Sequence, residues 1–291
     1  MAEQQQPKPR PIEVQPVTSR ADLATICGLL LAVGGILGGL LLEGGKIKDV
    51  AQVTAACIVF GGTFGAVMVN TPFPVLWCAV RKVNHVFIDR MQQPHQAIEE
   101  IISFAAKARR HGIVSLEQDA ENVPDHFLSK ALGLAVDGTD LDVLRRMMDL
   151  EISMDEHRAE AEARVYESAG GYAPTVGIIG AVLGLIQVMK HLENIDEVGR
   201  GIAVAFVATV YGVGSANLFF LPAANKLRAR LRRSTQIKEL MLEGVVAIVE
   251  GMNPKLIRMK LEAYAREAGA ALRAPAPRRF ASREEGDSNA A

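Results

Sequence analysis

The sequence predicts an all-α integral membrane protein with four transmembrane helices and a cytoplasmic helical domain. Four apolar segments contain no Asp, Glu, Lys, Arg or His, and each has about the 20 residues that a helix needs to cross the hydrocarbon core. Outside them, apolar residues recur at helical spacing and do not alternate as in a strand. The four segments cover residues 23–42, 50–69, 172–189 and 201–221.

Connections of very unequal length divide the chain into membrane and cytoplasmic parts. Short loops at 43–49 and 190–200 join neighbouring spans, whereas a long charged segment separates the second span from the third. Both ends of the chain lack apolar periodicity, and we predict that they are disordered. The predicted parts are a disordered tail (1–21), spans one and two (22–70), the cytoplasmic helical domain (71–169), spans three and four (170–224), C-terminal cytoplasmic helices (225–273) and a second disordered tail (274–291).

Helical patterns fill the cytoplasmic parts. Apolar residues recur at i, i+3 and i+4 over 98–108, and no helix breaker interrupts 226–250. The helices of spans three and four are therefore expected to extend into the cytoplasm. In the middle segment the first helix is predicted to end at Gly112, a second to start with capping-box spacing at Ser115, a third to cover 125–136, and a long one to run from Asp140 towards Ala169.

The distribution of positive charge predicts the orientation in the membrane. Basic residues cluster after the second and fourth spans, whereas the loop 190–200 has two basic residues offset by three acidic ones. Cytoplasmic loops carry an excess of Lys and Arg. We therefore expect a multi-pass protein of the cell inner membrane with both termini in the cytoplasm.

Composition and motifs exclude several classes of function. The 291 residues carry a net charge of −1, which favours neither nucleic acid nor an acidic tail. No phosphate-binding loop, metal-ligand spacing or nucleophile elbow is present, so we predict no enzyme, no metal and no cofactor. The three cysteines, Cys27, Cys57 and Cys78, are predicted to be small buried residues without a disulfide.

The absence of ionisable residues from the four spans bears on function. Membrane ion carriers usually place a titratable group at depth, and here only small or hydroxylated residues such as Thr175, Ala181 and Thr209 are available. If the chain moves ions, a partner must supply the carboxylate. Small residues on one face also predict close contacts between membrane helices. Such faces occur at glycines 177, 180 and 184 and at glycines 34, 35, 38 and 39.

Three stretches carry a resemblance to a known family. They read GGYAPTVGIIGAVLGL at 170–185, GIAVAFVATVYG at 201–212 with Asn217 and PAANKL at 222–227, and ARRHGIVSLE at 108–117. Together they resemble the A-subunit of the bacterial flagellar motor stator, the MotA/PomA family. The resemblance covers about 22–261, with the parts in the same order.

The resemblance implies an assembly and a function. Five copies surround two copies of a MotB-like B-subunit, which contributes a membrane helix with an essential Asp and a domain that grips peptidoglycan. Ion passage past that Asp drives rotation against the rotor's FliG-like switch protein. The lipid bilayer is the other partner, and nucleic acid is not expected.

The resemblance also assigns roles to residues of the third and fourth spans. Thr209 would face the partner's Asp on an ion path with Ala181 and Thr175. At the position of Ala181, sodium-using relatives carry a Thr and proton-using ones an Ala, so the coupling ion is predicted to be the proton. Pro174 and Pro222 would couple ion binding to cytoplasmic movement.

Each of these assignments has a simpler structural alternative. Thr209 can bond to its own backbone, and Pro174 can be a first-turn helix residue at little cost. Pro222 deletes a backbone bond and should kink the exit of the fourth span. For Tyr211 we predict packing rather than hydrogen bonding.

Charged residues at the end of the first cytoplasmic helix resemble the family's rotor-contacting pair. Arg109 and Glu117 are separated by eight residues as in that pair, and the adjacent Arg110 makes the positive patch denser. The alternative is that all three are ordinary solvated charges. The basic run 226–233 is interpreted as a stop signal that binds anionic headgroups.

Two other functions compete with a stator subunit. An ExbB/TolQ-like proton-driven energiser of outer-membrane transport shares the last two spans, but such proteins have one span before the large cytoplasmic segment and this chain has two. A passive membrane scaffold would not need the pattern of Thr209 and two prolines.

Overall fold

Two compact units make up the part of the chain that the computed structural model describes, residues 20–83, 88–89 and 93–273. The first unit gathers the described residues of 1–92 and 150–235, and the second those of 93–149 and 236–273. The predicted disordered tails lie outside the described residues, except for residues 20 and 21. The disorder itself therefore stays a prediction.

The first half of the chain forms two long apolar helices and shorter elements around them. A two-residue antiparallel pairing joins Arg20 to Asp89 and Ala21 to Ile88. Apart from this pairing, the described elements are helical, which confirms the predicted all-α class. The elements in order are β1 (Arg20–Ala21), α1 (Leu23–Leu42), α2 (Ile47–Val50), α3 (Val53–Asn70), α4 (Phe73–Arg81) and β2 (Ile88–Asp89).

The second half of the chain is dominated by two very long helical stretches. They are α8, and α9 with α10, which a five-residue π-helical turn joins. The elements are α5 (Pro94–His111), a 3-10 turn (Ile113–Leu116), α6 (Glu117–Asn122), α7 (His126–Val136), α8 (Leu141–Lys190), α9 (Ile195–Ser215), the π turn (Ala216–Phe220), α10 (Leu221–Val249) and α11 (Pro254–Arg273).

Four of these helical stretches are long and apolar enough to cross a membrane, as predicted. They are α1, α3, α8 and the stretch Ile195–Val249. The second begins at Val53 rather than at residue 50, because α2 ends at Val50 and Gln52 has an extended backbone. At 1.5 Å per residue α8 is about 75 Å long, far more than the hydrocarbon thickness of about 30 Å. The third helix therefore extends beyond its span, as predicted.

The second unit is held together by an apolar core between its helices. Ile101 of α5 is fully buried and lies against Gly244 of α10, where a Cβ atom would meet the isoleucine side chain at 2.7 Å. Other fully buried side chains complete this core: Leu116, Leu128, Leu132, Leu144, Met148, Leu240, Met241, Ile257 and Leu261.

Helix starts in the second unit follow two of the three predictions. The Asp125 carboxylate accepts hydrogen bonds from two amides of α7, and Asp140 does the same for α8. The capping box at Ser115 is wrong. Gly112 turns the chain with a φ of 81°, a 3-10 turn follows, and the Ser115 hydroxyl donates to the Gly112 carbonyl at 2.7 Å instead of capping a helix.

The prediction of buried cysteines is also wrong. Cys27, Cys57 and Cys78 are free thiols, which agrees with the absence of a disulfide among them, but all three are exposed on the protomer. They lie on helix faces that no other helix of the protomer covers, and α1 buries none of its residues. A cysteine in an apolar membrane segment can therefore face lipid or another subunit as readily as it can lie in the protein core.

Candidate functional site

Spans three and four approach each other to backbone contact at glycines. A Cβ atom added at Gly184 would lie 2.7 Å from the carbonyl oxygen of Gly201 and 2.8 Å from the amide nitrogen of Ala205. One added at Gly180 would lie 2.7 Å from the Cβ of Ala208. Such separations leave no room for a side chain, so the glycine face predicted on α8 is an interhelical contact with α9.

The same contact continues towards the π turn through Gly212. A Cβ atom added there would lie 2.6 Å from the carbonyl oxygen of Ala173 and 3.0 Å from the Cα of Gly177. The glycine face of α1 differs, since a Cβ atom at any of its four glycines meets nothing within 4 Å. The small-residue face of α1 is therefore unpartnered among the described residues.

The residues of the predicted ion path lie along this helix pair. Ala181 directly follows Gly180, and Thr209 directly follows Ala208, so the contact of Gly180 with Ala208 brings the two positions to one level. Both are half-buried. Thr175 is exposed and lies six residues before Ala181, or about 9 Å along α8.

Both threonine hydroxyls of this path donate to their own helix. Thr209 Oγ1 donates to the Ala205 carbonyl at 3.2 Å, and Thr175 Oγ1 donates to the Tyr172 carbonyl at 2.8 Å. This is a common arrangement for Thr in a membrane helix, and it leaves the oxygen lone pairs able to accept. Ala181 offers no oxygen from its side chain. The assignment of these residues to an ion path stays a prediction.

Tyr211 hydrogen-bonds, and the prediction that it only packs is wrong. Its hydroxyl donates to the Val50 carbonyl at 2.6 Å and accepts from the Gln52 amide at 3.3 Å. Its ring stacks on Phe60 with centroids 6.0 Å apart. The hydroxyl satisfies backbone groups in the break between α2 and α3, where no helix can pair them. These hydrogen bonds fix the N-terminal end of the second span to the fourth span.

The two prolines lie close to a single contact between the third and fourth spans. Pro174 is inside α8 rather than at a helix start, so the first-turn alternative is wrong. Proline in a helix leaves the carbonyl four residues earlier unpaired, here that of Gly170. A Cβ atom at Gly170 would lie 2.6 Å from the side chain of Leu221, the residue before Pro222. Their role in coupling stays a prediction.

The fourth helical stretch leaves regular α-helical geometry directly before Pro222. Residues Ala216–Phe220 form a π-helical turn, and Pro222 is the second residue of the α-helix that follows. A π turn inserts one extra residue into an α-helix and frequently occurs at functional sites. The sequence analysis expected a kink here; the described helix accommodates the proline with a change of helix type.

Three residues of the basic run after the fourth span form ion pairs within the chain, and its interpretation as a stop signal that binds anionic headgroups stays a prediction. Lys226 forms an ion pair with Asp22, and Arg230 approaches the same carboxylate at 3.4 Å. Arg228 contacts Glu160 at 2.9 Å and Glu167 through both of its terminal nitrogens. These partners are 61 to 208 residues away in sequence, which is why local charge counting missed them.

Two carboxylates in these pairs have shifted pKa values, and both lie outside the apolar spans. The hydrogen bond from Lys226 holds the pKa of Asp22 below its usual range, although burial opposes the shift. The hydrogen bond from Arg228 likewise lowers the pKa of Glu167. Both groups are therefore charged at neutral pH, and Asp22 also caps α1 by accepting from the Thr25 amide at 3.1 Å.

An ion pair and a hydrogen bond also join α4 to α8. Lys82 pairs with the buried carboxylate of Glu162 at 2.7 Å, and the Tyr166 hydroxyl donates to the Ala79 carbonyl at 2.7 Å. A carboxylate out of water without a cation is strongly destabilising. The pair therefore fixes the segment after the second span to the long third helix.

The predicted rotor-contacting residues lie together on the second unit. Arg109 and Arg110 end α5, and Glu117 begins α6 after the tight turn at Gly112. All three are exposed, and none makes an ion pair within the described part of the chain. Their charges therefore face solvent, and a role in rotor contact stays a prediction. Among the described residues no cluster of three metal-ligating side chains occurs.

Fold and site together define a class of protein: a four-span, all-α membrane protein whose glycine-packed third and fourth spans carry no Asp, Glu, Lys, Arg or His. Two family models match the chain, that of the Motility protein A N-terminal region over residues 26–112 and that of the MotA/TolQ/ExbB proton channel family over residues 119–240.

Similar proteins match over most of its length. Motility protein A of Bacillus subtilis is 36% identical over 248 residues, covering 84% of this chain and 90% of the relative. The structure of C. jejuni MotAB matches with a TM-score of 0.79 and 31% identity, covering 84% of this chain and 95% of that one. The structure of the flagellar MotAB stator complex from Bacillus subtilis matches with a TM-score of 0.77 and 34% identity, covering 83% and 95%.

The chain therefore belongs to the MotA/PomA family, as the sequence resemblance predicted. Membership of a channel family confirms that it is not an enzyme. The match over residues 26–112 includes both of the first two spans, which is the part that separates the motility proteins from the ExbB/TolQ alternative.

Proposed function

We propose that this chain is a stator subunit of a bacterial flagellar motor that forms, with a B-subunit, an ion channel whose flux drives rotation. The observation that carries the proposal is the composition of the spans, which hold no Asp, Glu, Lys, Arg or His. A channel on this fold needs a carboxylate from a partner helix. The solved relatives are MotAB assemblies, which supports a MotB-like partner. The essential membrane Asp of that partner is part of the proposal.

The coupling ion in this proposal is the proton. Ala181 contributes no oxygen at the level of Thr209, whereas a bare metal cation needs several oxygen ligands.

A strain lacking the gene should swim poorly, and the restored gene should support swimming whose speed is independent of external sodium and collapses with a protonophore. Speed that follows sodium at fixed pH would contradict the ion assignment. Normal swimming together with impaired outer-membrane uptake would favour the ExbB/TolQ-like alternative.

The proposed assembly has five copies around two B-subunits, in the inner membrane with both termini in the cytoplasm. The unpartnered glycine face of α1 leaves a surface suited to further helix contacts.

In a variant without the three exposed native cysteines, an impermeant thiol reagent should label a cysteine at Asn194 but not one at Arg145. Native mass spectrometry should give a five-to-two complex. Labelling at Arg145 or a different ratio would contradict the corresponding claim.

The exposed charges Arg109, Arg110 and Glu117 are proposed to meet opposite charges on a FliG-like rotor protein. Long-range attraction between exposed charges is screened over about 8–10 Å at cellular salt, so it governs encounter and registry more than affinity. The double reversal of Arg109 and Arg110 to Glu should severely reduce swimming, with expression and ion conduction unchanged. A charge reversal on the rotor helix should restore part of the loss.

Arg146 provides a matched control for this experiment. It is exposed on α8, and within the described residues it makes no ion pair. Its reversal to Glu changes the net charge in the same direction at another place on the second unit. Equal swimming defects from Arg146 and from the pair Arg109 and Arg110 would show a general charge effect, and the rotor contact would be wrong.

A further inference from the structure

A cavity of about 280 Å³ lies beside α1, against the π turn and the start of α10. This volume is near the lower end of the range for small-molecule sites, about 300–1,000 Å³. Its walls are mostly apolar, and the cavity is open to the surface at Gly28, which is exposed. The main wall residues are Gly28, Leu29 and Ala32 on one side and Leu218, Phe219 and Pro222 on the other.

The polar side chains around this cavity already have partners. Asn217 donates to the Val213 carbonyl at 2.9 Å. Lys226, at one end of the cavity, donates to the Thr25 hydroxyl and pairs with Asp22. Since these side chains have partners within the chain and most of the wall is apolar, the interior favours an apolar occupant over a chain of ordered waters.

The position of Lys226 also relates the cavity to the membrane boundary. Its partner Asp22 comes directly before the first span and caps α1, so the ammonium lies where the hydrocarbon region ends. Headgroups with phosphate groups occupy this level of a bilayer, and cationic side chains there attract anionic lipids. An apolar cavity that opens on a membrane helix and ends at a cation is complementary to a phospholipid, which has an apolar acyl chain and an anionic phosphate.

We propose that this cavity binds one acyl chain of an anionic phospholipid, with the headgroup phosphate near Lys226. A single acyl chain is narrow enough to lie between α1 and the π turn. The site touches Pro222, so the lipid contacts the segment proposed to couple ion flow to movement.

Gly28 allows the cavity to be filled without disturbing its walls. A Cβ atom there meets nothing within 4 Å, and the same holds for the exposed Gly65 of α3, which does not line the cavity. Gly28→Phe therefore occupies the lipid space, and Gly65→Phe is the matched control. If the phenyl ring of Gly28→Phe displaces about two methylene groups of the acyl chain from the cavity, lipid binding should weaken roughly tenfold.

The test uses the protein purified with the subunits that accompany it and reconstituted in vesicles of phosphatidylethanolamine and phosphatidylglycerol. A phosphatidylglycerol with a diazirine in its acyl chain is photolysed, and adducts are located by mass spectrometry. We expect adducts within 24–32 and 217–226, about tenfold fewer in Gly28→Phe and unchanged labelling in Gly65→Phe. Ala32→Leu replaces Gly28→Phe if that variant does not assemble. Lys226→Gln should reduce labelling by this probe more than labelling by the matching phosphatidylcholine.

Two results would overturn the proposal. One is wild-type protein that carries adducts elsewhere on its membrane helices but none at the cavity, which would mean that a protein segment or nothing occupies it. The other is equal labelling of Gly28→Phe and Gly65→Phe. Because the readout is a lipid adduct rather than motility, it does not depend on the proposed motor function.

Discussion

Gly212→Ala should sharply reduce the yield and thermal stability of the purified protein. The added methyl group would lie 2.6 Å from the Ala173 carbonyl oxygen and 3.0 Å from the Gly177 Cα. Both obstacles are backbone atoms, so no side-chain rotation can relieve the overlap and the two helices must separate. Overpacking of this kind costs about 1–3 kcal/mol or more. Size-exclusion profiles and thermal unfolding in detergent measure the effect.

Gly214 supplies the control on the same helix. A Cβ atom there meets nothing within 4 Å, and alanine improves helix propensity over glycine by about 1 kcal/mol. Gly214→Ala should therefore be neutral or slightly stabilising, while Gly212→Ala loses stability despite the same gain in propensity. Similar stability for the two variants would mean that spans three and four do not make the backbone contact described for α8 and α9.

Local sequence patterns predicted most of the fold, because hydrophobic length and helix caps are properties of neighbouring residues. The four apolar segments, the caps at Asp125 and Asp140 and the glycine face of the third span are all of this kind. The capping box at Ser115 failed for a local reason as well: Gly112 adopts a positive φ and a 3-10 turn includes Ser115, so the helix predicted here begins only at Glu117.

Long-range polar contacts could not be predicted in the same way. Periodicity shows that Tyr211 belongs to a span, but it does not show that its hydroxyl reaches residues 50 and 52. Charge counting found the basic run after the fourth span, but not that Lys226 returns to Asp22 at the start of the first. The exposed cysteines follow the same logic, since apolar segments do not reveal which face another helix covers.

The candidate ion path is only partly determined by this chain. The residues Thr175, Ala181 and Thr209 were identified through family resemblance, and their helix pair places two of them at one level. Both hydroxyls are engaged as donors to their own backbone. A proton carrier needs a group that titrates, and no span residue of this chain does so near neutral pH.

This chemistry leads to the second large expected effect, on conduction. Cells expressing this chain alone should show no proton influx above background. Cells expressing it with its B-subunit, after removal of the region that plugs the channel, should acidify. A B-subunit whose membrane Asp is replaced by Asn is the matched control, because it preserves size and assembly while removing the carboxylate, and it should return influx to background.

Proton influx into cells that express the subunit alone, the pair, and the pair with the Asp-to-Asn B-subunit tests the central claim most directly. Intracellular pH after an external acid pulse is the readout, with membrane levels of each protein matched. Our account predicts acidification only for the pair with an intact carboxylate. Comparable acidification by this chain alone, or by the pair without the carboxylate, would show that the proton-carrying group lies in this chain.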